Sequence, residues 1–313
     1  MGWAGGLEDA QAGAEAVQGG HYDKAIRLLT KAIDSGEISQ KQLSGVYILR
    51  GVAWDYKGDY DKAIADCTKA IELDPKLPEA YDSRGIAWGK KGDHDKAIAD
   101  FTKAIEINPR HVDAYNNRGR AWYNKGNFDK AIVDFNKVIG IDSKYALAYL
   151  NRGLAWDGKG EFNKAIADYS KVIAIDPKNA EAYNSRGIAW GKKGDHDKAI
   201  ADFTEAIEIN PRHVDAYNNR GLASDNKGDY DKAIVDYNKV IAIDPKYALA
   251  YLNRGLAWGK KGNYDKAITD FTKAIEIDPK YAKAYYNRGV AWARKGDYDK
   301  AKADHAKAKE LQN

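Results

Sequence analysis

One period governs the chain. Aligned on itself, the sequence repeats every 34 residues, with units beginning at Ser44, Pro78, Val112, Ala146, Ala180, Val214, Ala248 and Ala282. A divergent first unit, Gly6–Leu43, precedes them, so nine units (6–43, 44–77, 78–111, 112–145, 146–179, 180–213, 214–247, 248–281 and 282–313) fill the chain and leave no room for a separate catalytic domain. A longer period lies over this one: Pro78–Asn179 and Ala180–Tyr281 differ at only 22 of 102 positions, the mark of a duplicated three-unit block. A fixed period of this length means that each unit is one small supersecondary element that buries its apolar side on its neighbours.

Each unit reads as two helices. In the sixth, Glu181–Lys193 carries apolar residues at helical spacing, and Gly194 closes it as a residue suited to the left-handed region. Asp195 is placed to cap a second amphipathic stretch, Lys198–Ile209, which stops before Pro211. Short connections force the two helices to pack antiparallel.

Composition narrows the function. The chain has 50 basic and 46 acidic side chains, a net charge of +4, too even for a nucleic-acid or membrane-surface protein. No apolar run approaches the roughly 18 residues of a membrane span, so membrane insertion is not expected. A single cysteine, Cys67, excludes an internal disulfide or a cysteine-based zinc cluster. The six histidines lack ligand spacing, and no phosphate-cradling loop, calcium loop or nucleophile–base arrangement is present. The expectation is a protein that is not an enzyme and takes no metal or cofactor.

In the second unit the signature residues are Tyr47, Arg50, Gly51, Trp54, Ala63 and Pro75; in the eighth they are Tyr251, Arg254, Gly255, Trp258, Ala267, Phe271 and Pro279. Their order and period resemble the tetratricopeptide repeat, as a bacterial-type nine-unit array covering essentially the whole chain. The resemblance implies an all-α fold, a single right-handed α-solenoid superhelix of antiparallel helix pairs whose first helices line a concave groove. The small pair Gly255 and Ala267 is expected where the two helices cross.

Several positions depart from the family pattern. Tyr and Trp exchange their usual places, giving a stripe at Trp54, Trp88, Trp122, Trp156, Trp190, Trp258 and Trp292, expected to pack between successive units. Ser224 interrupts it, which predicts that the seventh unit is the joint that opens most readily. Arg replaces the usual Leu before the Gly in eight units, from Arg50 to Arg288, and an Asp follows each Arg sixteen residues later. The first unit has neither. This joint presence and absence predicts an Arg–Asp ladder within a unit or between neighbours. In the last helix Lys302, His305 and Lys309 replace apolar residues, as a terminal capping helix near Asn313 requires.

Two sets of residues are candidates for binding. Leu147, Leu150 and Leu154 share one helix face in the fifth unit, as do Leu249, Leu252 and Leu256 in the eighth; they are either hydrophobic hot spots or packing against the next first helix. Beside them runs Asn117, Asn151, Asn219, Asn253 and Asn287, a row similar to the asparagine ladder of O-GlcNAc transferases. Such a row either pairs with an extended peptide backbone or bonds to neighbouring helices. The carboxylate clamp of chaperone-binding members is not supported.

The partner is therefore expected to be a protein or peptide, either an extended segment or a partner's helix held in the groove by a non-catalytic scaffold. The alternative is a structural protein that self-associates through array ends and groove. The start, Met1-Gly2-Trp3-Ala4-Gly5, fits either an ordinary N-terminus of a soluble cytoplasmic protein or the trimmed remnant of a signal-peptidase site in an exported, periplasmic one.

Overall fold

The computed structural model describes residues 5–312, so Met1–Ala4 and Asn313, and the readings that rest on them, lie outside the described residues. Eighteen helices run from Gly5–Gln18 and Tyr22–Asp34 to Ala282–Arg294 and Tyr298–Glu310, two to a unit; no strand occurs among the described residues. The expected all-α class of antiparallel helix pairs is what the structure shows. The helices gather into two compact bodies that meet in sequence between Lys159 and Gly160, inside the fifth unit. Within each body a unit's first helix packs on its second, and the second packs on the first helix of the next unit.

Local rules set the helix ends. In the sixth unit the first helix spans Ala180–Lys192 and the second His196–Ile209. Between them Gly194 sits at φ +83°, a conformation open to glycine, and the Asp195 carboxylate accepts from the Lys198 N–H at 3.2 Å. His111 and His213 cap the first helices of the fourth and seventh units, each Nδ1 accepting from the N–H of Ala114 or Ala216.

The deepest side chains are alanines and one ring per unit, among them Phe135, Tyr169 and Tyr237. The rings of Phe101, Phe135, Phe203, Tyr237 and Phe271 lie on a recurring glycine of the first helix, Gly85, Gly119, Gly187, Gly221 and Gly255. A Cβ on Gly255 would stand 2.6 Å from Phe271 Cε1, so the tight contact at the crossing is ring on glycine, with Ala267 buried beside it. In the second unit the ring is replaced by buried Cys67, whose thiol burial pushes up to about 12, and in the last by His305, which lies on Gly289. Gly255→Ala is expected to cost about 1–3 kcal/mol by overpacking, whereas Gly259→Ala, which meets nothing within 4 Å, is expected to gain up to about 1 kcal/mol of helix propensity. Urea denaturation of the two variants checks this, and equal midpoints would remove the steric reading.

The tryptophans bridge units but are only partly buried. Trp122 packs against two core clusters, one that includes Ala97, Ile98 and Phe101 of the preceding unit and one that includes Ile132 of its own. The outer face of the ring carries a lysine: Lys130 Nζ lies 4.2 Å from the Trp122 centroid and Lys266 Nζ 4.1 Å from that of Trp258. The stripe is thus a half-buried seam, less deep than core packing alone predicts.

Seven arginines of the ladder each join three helices. Arg118 Nε and Nη2 donate to the two oxygens of Asp134 at 2.9 and 2.7 Å, while Nη1 donates at 3.0 Å to Thr102 on the preceding unit's second helix. Arg50, Arg84, Arg186, Arg220, Arg254 and Arg288 repeat the bidentate pair. The third bond goes to Thr30, Thr68, Ser170, Thr204, Asn238 or Thr272, a partner the sequence reading did not name. A second set of ties runs from a lysine at the end of each first helix to the preceding unit's second helix, as in Lys125 to Asp95 and Lys227 to Asp197.

Candidate functional site

Residues 2, 5, 6, 9, 12 and 13 of each unit share the first-helix face that the second helix leaves uncovered. Leu147 and Leu249 are 43% and 38% exposed, and Leu150, Leu154 and Leu256 are half-buried. Leu252 corrects the expectation of two equal leucine patches: it is 4% exposed and belongs to the core with Tyr251 and Phe271, against which Leu256 also packs. The fifth unit offers its leucines outward more fully than the eighth.

Within each body, two asparagines of the row bond back to the preceding first helix. Asn117 Nδ2 donates to Asp82 Oδ1 at 3.1 Å, and Asn151, Asn219 and Asn253 donate to the amide oxygens of Asn116, Asn184 and Asn218 at 2.9–3.1 Å. The acceptor always lies 35 residues earlier and is buried. Asn287 finds Leu252 at that place and turns back to the carbonyl of Lys283 at 2.7 Å. One amide proton of the first four asparagines is therefore committed to holding the stack. Their Oδ1 atoms, on half-buried side chains, make no hydrogen bond among the described residues.

The acceptor residues were missed in the sequence, although a signal was there. Asparagine stands at position 6 in all four cases where the unit before has Asp or Asn at position 5, whereas Ser83 and Ser185 follow Ile48 and Leu150, and Asn287 follows Leu252. Charge is banded across the face as well. In the first body Glu79, Asp82 and Asp113 lie toward the start of the first helices, and Lys90 and Arg120 toward the end. Lys90 Nζ reaches back to Asp55 at 2.5 Å, and Lys260 makes the same tie to Asp225. Burial raises the Asp82 carboxyl to about 6, against the opposing pull of its bond from Asn117 and of His111, and with a further push from Asp113 and Glu79.

Models of the tetratricopeptide repeat match residues 45–77, 112–145, 180–213, 203–235 and 282–313, and a further one, described as TPR repeat, matches 89–126, 159–194, 226–262 and 259–296. The chain belongs to the tetratricopeptide repeat family. Among solved structures it is similar to a tetratricopeptide repeat protein from Parabacteroides merdae, 22% identical, with TM-score 0.61, covering 75% of this chain and 93% of that one. It is also similar to MamA protein, 36% identical, TM-score 0.50, over 55% of this chain and 94% of that one. The APC/C hetero-tetramer Cut9–Hcn1 matches at 19% identity and TM-score 0.61 over 92% of this chain, which spans 57% of the matched chain. No curated protein sequence matches. In the repeat's own frame, no helix among the described residues is long and apolar enough to cross a membrane.

Proposed function

We propose that the chain is a protein-interaction scaffold whose first-helix face holds an extended segment of a partner. The observation that carries this reading is the row of half-buried asparagines, each with an acceptor oxygen left over after its proton has tied the stack together. In each body two such oxygens on successive first helices can accept from peptide N–H groups without reading side chains. Exposed Leu147 in the first body, and Leu222 and Leu249 in the second, supply apolar contact beside the row. Leu222 was not singled out in the sequence, because its unit reads as polar.

The test is selection of peptides from a random displayed library on the intact chain, followed by titration of Asn151→Ala and of the Asn219→Ala, Asn253→Ala double variant. Two lost bonds to a peptide backbone are worth about 1–3 kcal/mol, or about 5- to 150-fold in affinity. Selected peptides that bind the double variant unchanged, with its helicity intact, would end the proposal for the asparagine row. Failure to select any peptide would end it for the face.

A further inference from the structure

The seam of tryptophans is broken at Ser224, and the structure shows what stands there. A cavity of about 380 Å³ opens beside Ser224, which is itself only 2% exposed, and is lined by Ile200 and Thr204 from the preceding unit's second helix and by Arg220, Lys232 and Val235 among others. It lies wholly within the second body, between the sixth unit's second helix and both helices of the seventh, and its lining does not include Asn219 or Asn253.

The rest of the molecule says what fits it. In the fourth and eighth units the same place is taken by an indole ring, packed on the isoleucine equivalent to Ile200 and roofed by a lysine. That lysine stands 4.1–4.4 Å from the ring centroid at Trp54, Trp88, Trp122, Trp190, Trp258 and Trp292. Lys232 is its counterpart here, and it has no ring beneath it. The charged groups around the cavity already have partners: Arg220 holds Asp236 and Thr204, Lys232 pairs with Asp229 at 3.1 Å, and Asp231 is taken by Lys261. What remains to offer is apolar wall, including Val235 at 57% exposure, under a cation. A cavity of roughly 150 Å³ suffices for benzene, so the space is ample for a fused ring.

We propose that this cavity binds an indole ring, the tryptophan side chain of a protein partner, in the way the neighbouring units bind their own. A flat ring satisfies both the apolar walls and the cation above them, and an aliphatic side chain satisfies only the first. Because the cavity opens at the surface, the ring can enter while its backbone stays outside.

Ligand-observed NMR titration of the intact chain with N-acetyltryptophanamide, N-acetylleucinamide and free indole tests this. Saturable binding of the tryptophan probe is expected, with the leucine probe at least tenfold weaker. Ser224→Trp, which restores the seam from inside, should abolish binding, and Val235→Arg, which obstructs the rim, should do the same without touching the interior. Lys232→Met should weaken binding about threefold, the loss of one exposed cation–π contact. Absence of saturable binding to the unaltered chain, binding that survives both blocking variants, or equal affinity for the leucine probe would each overturn the proposal. Binding of free indole without N-acetyltryptophanamide would overturn the assignment to a side chain. None of these results depends on whether the first-helix face binds peptide.

Discussion

Asp134→Ala should lower the stability of its part of the chain by about 3–5 kcal/mol, the largest loss expected from any single polar residue described above. Asp134 is buried, and it receives both parallel bonds from Arg118, which is itself mostly covered and anchored by Thr102. Removing the carboxylate strands a guanidinium that cannot be neutralised, in a place water reaches poorly. The pair as a whole is a different matter, because replacing both charges with apolar side chains removes the desolvation cost together with the attraction. Arg118→Leu combined with Asp134→Leu is therefore expected to recover most of the loss. Arg118→Lys should not, since an ammonium cannot reproduce the fork to Asp134 and the third bond to Thr102 together. Hydrogen exchange at the fourth unit, compared among the three variants, measures it. A double variant no more stable than Asp134→Ala would show that packing, not the uncompensated charge, sets the cost.

Asp82→Asn should stabilise the chain at neutral pH and leave it unchanged in acid. The ordinary value for this carboxyl is 3.8, and burial raises it to about 6, so the folded chain favours the neutral acid. Whatever stability that preference lends is complete below pH 3.8 and is lost as the pH rises through 6. A difference of about two units corresponds to about 3 kcal/mol at pH 8. The asparagine amide carries no such dependence, and it can still accept the bond from Asn117, as Asn184 accepts from Asn219 in the duplicated block. Urea midpoints of the two proteins should coincide below about pH 4, diverge between about pH 4 and 6 and keep a level gap above that; a gap that does not change across this range would refute the buried-carboxyl account.

The fold was legible because its determinants are local and repeated. Gly194, Asp195 and Pro211 punctuate the sixth unit in sequence as they do in three dimensions, and the pairing of Arg with Asp at a spacing of sixteen residues needs only one helix hairpin to be inferred. The binding face was less legible, because its residues answer to the neighbouring unit. Leu252 looks like Leu150 in sequence, yet it is buried in the core cluster of the eighth and ninth units while Leu150 stays half-exposed. The asparagines look alike too, and only the identity of the residue 35 places earlier separates Asn253 from Asn287. Depth was also hard to read: a tryptophan and a phenylalanine are equally apolar, but the glycine beneath Phe271 has no counterpart beneath Trp258. Hydrophobicity says which residues leave water, and the steric vacancy opposite them says how far.

The ties between units have a consequence for how such a chain grows. Arg118 reaches one unit back for Thr102, Asn117 for Asp82 and Lys125 for Asp95, and most units present the polar groups that such a successor needs. Such a module thus carries plugs on one side and matching sockets on the other. Copying a run of whole modules sets plug against socket again at the new seam, as Arg186 finds Ser170 where the two blocks of Pro78–Tyr281 meet.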